Sequence, residues 1–192
     1  MARATMADLI TQMRGMSNAG TADYTVNGSA YWTDDQVQEV MERYRVDVNR
    51  IELMPVPKHV DGSELEYYDY HSGMQWLEQT DGGTAVFVVE NAEGEDQGTA
   101  LWSADYNRGV VTFAADQGGT AYFLTGRRYD LNRAAADMWR MKAAHYATAY
   151  DFSTDNHSMK RSQLISNAFQ MADMYERNAP MNVVTMYRSD NG

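Results

Sequence analysis

The chain has 192 residues, a length that fits one domain able to bury a hydrophobic core. Its 16 lysine and arginine residues are outnumbered by 27 aspartate and glutamate residues, which gives a net charge of −11. This balance argues against a protein that holds nucleic acid through phosphate contacts, because such binding needs clustered basic residues. The lack of cysteine excludes disulfides, thiolate metal sites and a cysteine nucleophile.

The first predicted element is a short helix over residues 5–16. Its apolar residues follow the i, i+3, i+4, i+7 spacing of one helix face: Met6, Leu9, Ile10 and Met13. Gly15 and the small residues after it predict the helix end, and the polar stretch to Ala30 predicts a loop or arm. Neither a signal peptide nor a membrane span is expected, since no window approaches about 18 apolar residues.

A second helix is predicted from Thr33, which is a good N-cap with Gln36 at the capping-box position. Trp32 and Val37 flank the cap as a hydrophobic staple, and the helix is expected to end near Val48. The segment from Ile51 to Val60 contains Pro55 and Pro57. It is therefore predicted to be extended but not to form a central strand.

From about Glu64 to Leu124 the apolar pattern changes to a period of two, broken by glycine-rich turns. Short strands joined by tight turns predict an antiparallel β-meander. The strands are expected at Glu66–Tyr70, Met74–Glu78, Thr84–Glu90, Thr99–Trp102, Val110–Ala114 and Ala121–Leu124.

Two long helices follow in the C-terminal part. The first begins at the N-cap Asp130 and runs to about residue 150, with two apolar faces. A helix that is apolar on two sides must be covered on two sides, by its own domain or by a neighbouring copy of the chain. The second spans residues 158–178 and stops at Pro180, before a β-competent tail.

These elements predict an α+β fold: a helical bundle of N-terminal helices and two long C-terminal helices, with an inserted antiparallel β-meander. Residues 1–60 are assigned to N-terminal helices and an extended linker, and residues 61–126 to the meander. Residues 127–180 form the two-helix part of the body, and residues 181–192 form a tail.

Motifs with a specific chemistry are not found. The four histidines are scattered without metal-ligand spacing, and Gly126 lies in LTGRRYDL, which matches no phosphate-binding pattern. Glu64, Glu66 and Asp69 are the nearest candidates for a catalytic carboxylate pair, but solvated strand residues are the simpler interpretation. The sequence therefore predicts a protein that is not an enzyme, without catalytic residues, metal or cofactor.

The C-terminal half nevertheless resembles a known group. A hairpin ending in YFLTGRRYD leads into LNRAAADMW, then into YDFSTD and SMKRSQ, at Tyr122–Tyr129, Leu131–Trp139, Tyr150–Asp155 and Ser158–Gln163. This order resembles the head-to-tail connector (adaptor, or head-completion) proteins of tailed bacteriophages. The resemblance covers roughly residues 34–178.

The resemblance implies a non-enzymatic virion protein in the neck between capsid and tail, made in the host cytoplasm. Such subunits form a homo-oligomeric ring, usually of twelve copies, that contacts the portal and a head-stopper or tail-completion protein. Double-stranded DNA passes through the channel without specific binding, and no membrane is involved. The alternatives are another neck protein, such as a β-rich head stopper or tail terminator, and a carboxylate-based hydrolase or small-molecule binder.

Arginine, tyrosine and methionine are abundant in this chain and are enriched at protein interfaces. Ring subunits meet through heterologous contacts, in which one face packs on a different face of the next copy. The residues expected at contacts with a neighbouring subunit or the portal are Arg127, Arg128, Tyr129, Trp139, Tyr146, Tyr150, Val183, Val184, Met186 and Tyr187.

Overall fold

The computed structural model describes residues 1–20, 23–26, 28–60, 64–80, 86–148, 152–154, 157–159 and 161–180. Within them a short 3-10 helix, Ala4–Met6, precedes four α-helices: α1 (Ala7–Ser17), α2 (Asp34–Glu42), α3 (Leu131–Ala147) and α4 (Arg161–Asn178). The strands are β1 (Thr25–Val26), β2 (Ser29–Ala30), β3 (Arg45–Val60), β4 (Glu64–His71), β5 (Val88–Glu90), β6 (Trp102–Asp105), β7 (Val110–Phe113), β8 (Tyr122–Tyr129), β9 (Phe152–Thr154) and β10 (His157–Met159).

Six strands form one antiparallel sheet in the order β5-β8-β3-β4-β7-β6, which curves into a half-barrel. β1 pairs with β2 and β9 pairs with β10 as two small hairpins. The concave side of the large sheet encloses a core of alternating apolar residues, as the pleat of a half-buried strand requires. Its members include Leu53, Tyr70, Leu77, Phe87, Val89, Trp102, Val111, Phe113, Tyr122 and Leu124.

The predicted fold class is wrong in its proportions. The chain is α+β, but the sheet is the larger part of the framework and is not a small meander inserted in a helical bundle. The strands also do not follow one another in chain order, because β8 returns to pair with β3 and β7 pairs with β4. Hydrophobic periodicity identifies strands, but it carries no information about which distant strands will pair.

The prediction that Ile51–Val60 is extended is confirmed, and each of its paired residues has one neighbouring strand, although β3 as a whole lies inside the sheet. β3 lies between β8 and β4, and its first half pairs with β8 up to Leu53. Beyond that point only β4 accompanies it, from Met54 onwards. Pro55 and Pro57 lie in this second half, where the strand has one neighbour and a missing N–H donor is tolerated.

The second helix is shorter than predicted. Its capping box forms as expected, because the Thr33 hydroxyl oxygen accepts a hydrogen bond from the Gln36 main-chain N–H, and the Gln36 side-chain oxygen accepts one from the Thr33 main-chain N–H. The helix ends at Glu42, however, and Arg45–Val48 pairs with the end of β8. Pairing with a strand about 80 residues away in sequence overrides the local helical pattern of residues 43–48.

Other local predictions are confirmed. The four apolar residues of the predicted N-terminal stripe are buried in α1 and the turn before it. Asp130 caps α3 by accepting a hydrogen bond from the main-chain N–H of Arg133. Two of the predicted strands are displaced, since residues 74–78 contribute only a bridge from Leu77 to Arg128, and residues 99–101 form a turn before β6.

The helices build a second core at one end of the sheet. Residues of α1, α2 and α3 pack together there with Tyr129 from the end of β8. α3 also packs against α4, through buried residues such as Ala168 and Ala172. The two apolar faces of α3 are therefore covered inside the chain, so the two-sided pattern does not itself require a neighbouring subunit.

Candidate subunit interface

The three predicted interface residues at the end of β8 have different environments. The side chain of Arg127 is partly exposed and lies 3.7 Å from the carboxylate of Glu78. Arg128 is half-buried on the other side of the strand. Tyr129 is only 1% exposed, so its surface is used within the chain and is not presented to a neighbour.

Tyr129 belongs to a polar cluster around Glu78, a carboxylate that is completely buried. Glu78 accepts hydrogen bonds from the Arg3 guanidinium at 2.9 Å, the Thr5 hydroxyl at 2.6 Å and the Tyr129 hydroxyl at 2.7 Å. Arg3 also pairs with Glu42 of α2. The Glu78 cluster thus joins the N-terminus, α2 and the sheet at the junction of the two cores.

The cluster stabilises the charged carboxylate. Burial alone would raise the pKa of Glu78, but the hydrogen bonds from Thr5, Tyr129 and Arg3 outweigh it, so the pKa is lowered. The pKa of Tyr129 is raised by burial and by its hydrogen bond to Glu78. A carboxylate held by three donors is a poor proton acceptor, and this arrangement is typical of a structural ion pair.

Trp139 and Tyr146 are half-buried on α3 and contact other parts of the same chain. The Trp139 indole donates a hydrogen bond to the main-chain oxygen of Met16 at 3.2 Å. Tyr146 lies beside His145, with the ring centres 5.9 Å apart, and His145 stacks on Tyr24 at 3.8 Å. The other predicted interface residues lie outside the described residues: Tyr150, Val183, Val184, Met186 and Tyr187.

A cleft of about 410 Å³ lies between Trp76, Arg128 and the end of α4. Trp76 has a left-handed backbone with φ of 58°, a conformation that costs energy for a bulky residue. Its ring packs against the helical core, which holds it in place. Among the described residues, no group of three histidine or carboxylate side chains is placed to hold a metal ion.

Beyond Leu53, the strand pair formed by β3 and β4 has exposed side chains on both faces. In this segment β3 has β4 as its only neighbour. Residues 54–56 pair with residues 69–71, which β7 pairs on their other side, and residues 58–60 pair with residues 64–66 as a two-stranded ribbon. We call residues 54–59 and 64–66 the β-arm. It carries three exposed apolar side chains, with Met54 at 58%, Val56 at 38% and Leu65 at 43%. Local periodicity could not identify this arm, because its exposure depends on where β8 stops pairing with β3.

None of the helices in the described part of the chain has the length and hydrophobicity of a membrane span. Comparison of this chain with protein-family models, with curated protein sequences and with solved structures found no match.

Proposed function

We propose that this protein is a structural subunit of a tailed-phage virion, a head-to-tail adaptor. In this proposal it forms a ring below the portal and continues the DNA channel towards the tail. The sequence resemblance at Tyr122–Gln163 suggests the class of protein. The β-arm is the structural observation that supports the proposal, because three of its apolar side chains are exposed in the described part of the chain.

The argument from the β-arm is energetic. The outer part of the β-arm, where residues 58–60 pair only with residues 64–66, is a two-stranded ribbon, and an isolated ribbon of this kind is marginally stable in water. Met54 and Val56 lie two residues apart on one face of β3, whereas Leu65 pairs with His59 farther along the arm. Exposed apolar side chains on a protruding strand pair are candidates for contact with another protein. In an assembled ring, packing of Met54, Val56 and Leu65 on the next subunit would remove them from water.

The prolines indicate how the arm makes contact. Pro55 and Pro57 cannot donate main-chain hydrogen bonds, so this segment of β3 is a poor template for addition of another strand. Contact through side chains is therefore favoured over extension of the sheet. The acidic net charge fits the same proposal, since an acidic channel wall repels DNA and lets it slide.

The first test changes the three arm residues together, as Met54→Ser, Val56→Ser and Leu65→Ser. We expect the subunit to keep its thermal unfolding temperature, because these side chains contribute little to either core. We expect the ring, alone or on the portal protein of the same virus, to be lost or reduced at least about tenfold in association constant. Analytical ultracentrifugation and native mass spectrometry measure both assemblies.

Leu101→Ser is the matched control, since Leu101 is 53% exposed in a turn away from the arm. It should assemble like the unchanged protein. If the unchanged protein stays monomeric with and without portal protein at high concentration, the adaptor proposal is wrong. If the triple variant assembles normally, the assignment of the β-arm is wrong.

A second candidate is another neck or tail-completion protein, such as a head stopper or tail terminator. The six-stranded sheet favours it, because the fold is more sheet-rich than the sequence predicted. The two candidates differ in binding order. An adaptor binds the portal directly, whereas the second candidate binds only after another ring is in place.

A further inference from the structure

We propose that a pocket at the start of α3 binds a phosphate-class oxyanion. The pocket has a volume of about 120 Å³ and is lined by Arg43, Tyr44, Arg45, Val46, Arg128, Asp130 and Arg133. We call it the arginine pocket. Four of its lining residues are arginines, in a chain whose acidic residues outnumber its basic ones.

Arg128 is the residue that requires an explanation. Arg43, Arg45 and Arg133 each lie within 4 Å of a carboxylate, at 3.6, 3.0 and 3.5 Å respectively. Arg128 forms no ion pair or side-chain hydrogen bond with the part of the chain that the structure describes. A half-buried guanidinium without an anion is unfavourable, because it loses hydration and gains no charge partner.

The only carboxylate in the lining is already occupied. One oxygen of Asp130 accepts the main-chain N–H of Arg133 at 3.1 Å, and the other lies 3.5 Å from the Arg133 side chain. Asp130 thus caps the N-terminus of α3 and pairs with Arg133, and it does not pair with Arg128. The charge that an added anion would balance is that of Arg128, since the other three arginines are paired.

The chemistry of the lining favours an oxyanion. Guanidinium groups are planar and donate paired hydrogen bonds that match the oxygens of phosphate or carboxylate. The volume of about 120 Å³ is several times the roughly 10–15 Å³ that one water molecule requires on the same measure. One phosphate group fits this space, whereas the net charge of the chain opposes an extended polyanion.

The test is calorimetric titration of the purified full-length chain with inorganic phosphate at constant ionic strength. We expect saturable binding that Arg128→Gln weakens at least about tenfold, since it removes charge-assisted hydrogen bonds. Arg128→Lys should bind with intermediate affinity, because it keeps the charge but loses the paired donors. Unfolding temperatures of both variants establish that they are folded.

Arg108→Gln is the matched control for charge, because the exposed Arg108 lines the neighbouring cleft but not the arginine pocket. It should bind phosphate with unchanged affinity. A nucleoside monophosphate that binds like inorganic phosphate supports recognition of the phosphate group alone.

Three results would overturn the proposal. These are no saturable phosphate binding, equal weakening by Arg108→Gln and Arg128→Gln, and binding only to a DNA duplex or to an acidic peptide. The test does not depend on ring assembly, so the adaptor proposal and this one can fail separately.

Discussion

Replacing Glu78 with alanine is expected to lower the free energy of unfolding by about 2–4 kcal/mol, because it leaves buried hydroxyl donors without their acceptor. Arg3 loses its bond to the Glu78 carboxylate, and Thr5 and Tyr129 lose the acceptor of their hydroxyl groups. The cluster joins the two cores, so the loss should affect cooperative unfolding of both. Urea denaturation followed by tryptophan fluorescence and by circular dichroism measures the change.

Two further variants test whether the loss of unfolding free energy in Glu78→Ala comes from the Glu78 cluster. Glu52→Ala removes an exposed carboxylate from β3 and should change the unfolding free energy by no more than about 0.5 kcal/mol. Tyr129→Phe removes one of the three donors and should cost about 1–2 kcal/mol. A cost below about 1 kcal/mol for Glu78→Ala would show that the cluster does not hold the two cores together.

The same cluster predicts a dependence on pH. The folded-state pKa of Glu78 is lowered, so its contribution to stability is present above the unfolded-state value of about 4.3. That contribution is lost as the pH falls through the folded-state pKa. The difference in stability between the unchanged protein and Glu78→Ala should therefore be largest near neutral pH and shrink below about pH 4. A constant difference from pH 7 to pH 3 would contradict the direction of the shift.

The parts of the fold that depend on neighbouring residues were predictable from the sequence. The capping box at Thr33, the cap at Asp130 and the buried stripe of α1 all follow from contacts within a few residues. Each rests on side chains that meet their partners whenever the helix forms. These contacts can be inferred from a single sequence because both partners lie close together in it.

The parts that depend on distant segments were not predictable. β3 is central because β8 pairs with its first half, and its prolines are tolerated because that pairing stops at Leu53. Pro55 and Pro57 correctly indicate a segment without two neighbours, but they cannot show that residues 45–53 extend the same strand to β8. The same pairing shortens α2, since Arg45–Val48 satisfies its main chain in the sheet.

The environments of the predicted interface residues also depend on segments that are distant in the sequence. Tyr129 was predicted as an interface residue from the resemblance and from the enrichment of tyrosine at interfaces, but its partners are residues 3, 42 and 78. No spacing in the sequence links these positions. Arg128, from the same prediction, is the half-buried arginine with no described counter-ion, and its role as a subunit contact stays a prediction.

The second large effect is expected at Lys142, which is only 1% exposed in α3. Its ammonium group lies 2.5 Å from Asp23, donates a hydrogen bond to the Asn18 main-chain oxygen at 2.7 Å and sits 5.0 Å from the Trp139 ring centre. The pair ties the segment after α1 to the long helix. Lys142→Met keeps most of the side-chain volume but leaves Asp23 without its cation, and should cost about 3–5 kcal/mol.

A double-mutant cycle separates the charge pair from packing. Asp23→Asn alone leaves the buried ammonium unpaired, whereas the double variant Lys142→Met with Asp23→Asn removes both charges. We expect the double variant to be more stable than the sum of the single costs by about 1–3 kcal/mol. The exposed pair Arg108 and Asp105, 3.8 Å apart, is the matched comparison and should show no measurable coupling in urea denaturation. Strict additivity at Lys142 and Asp23 would mean that the lysine is held by its carbonyl and ring contacts, and that the ion pair adds nothing to the fold.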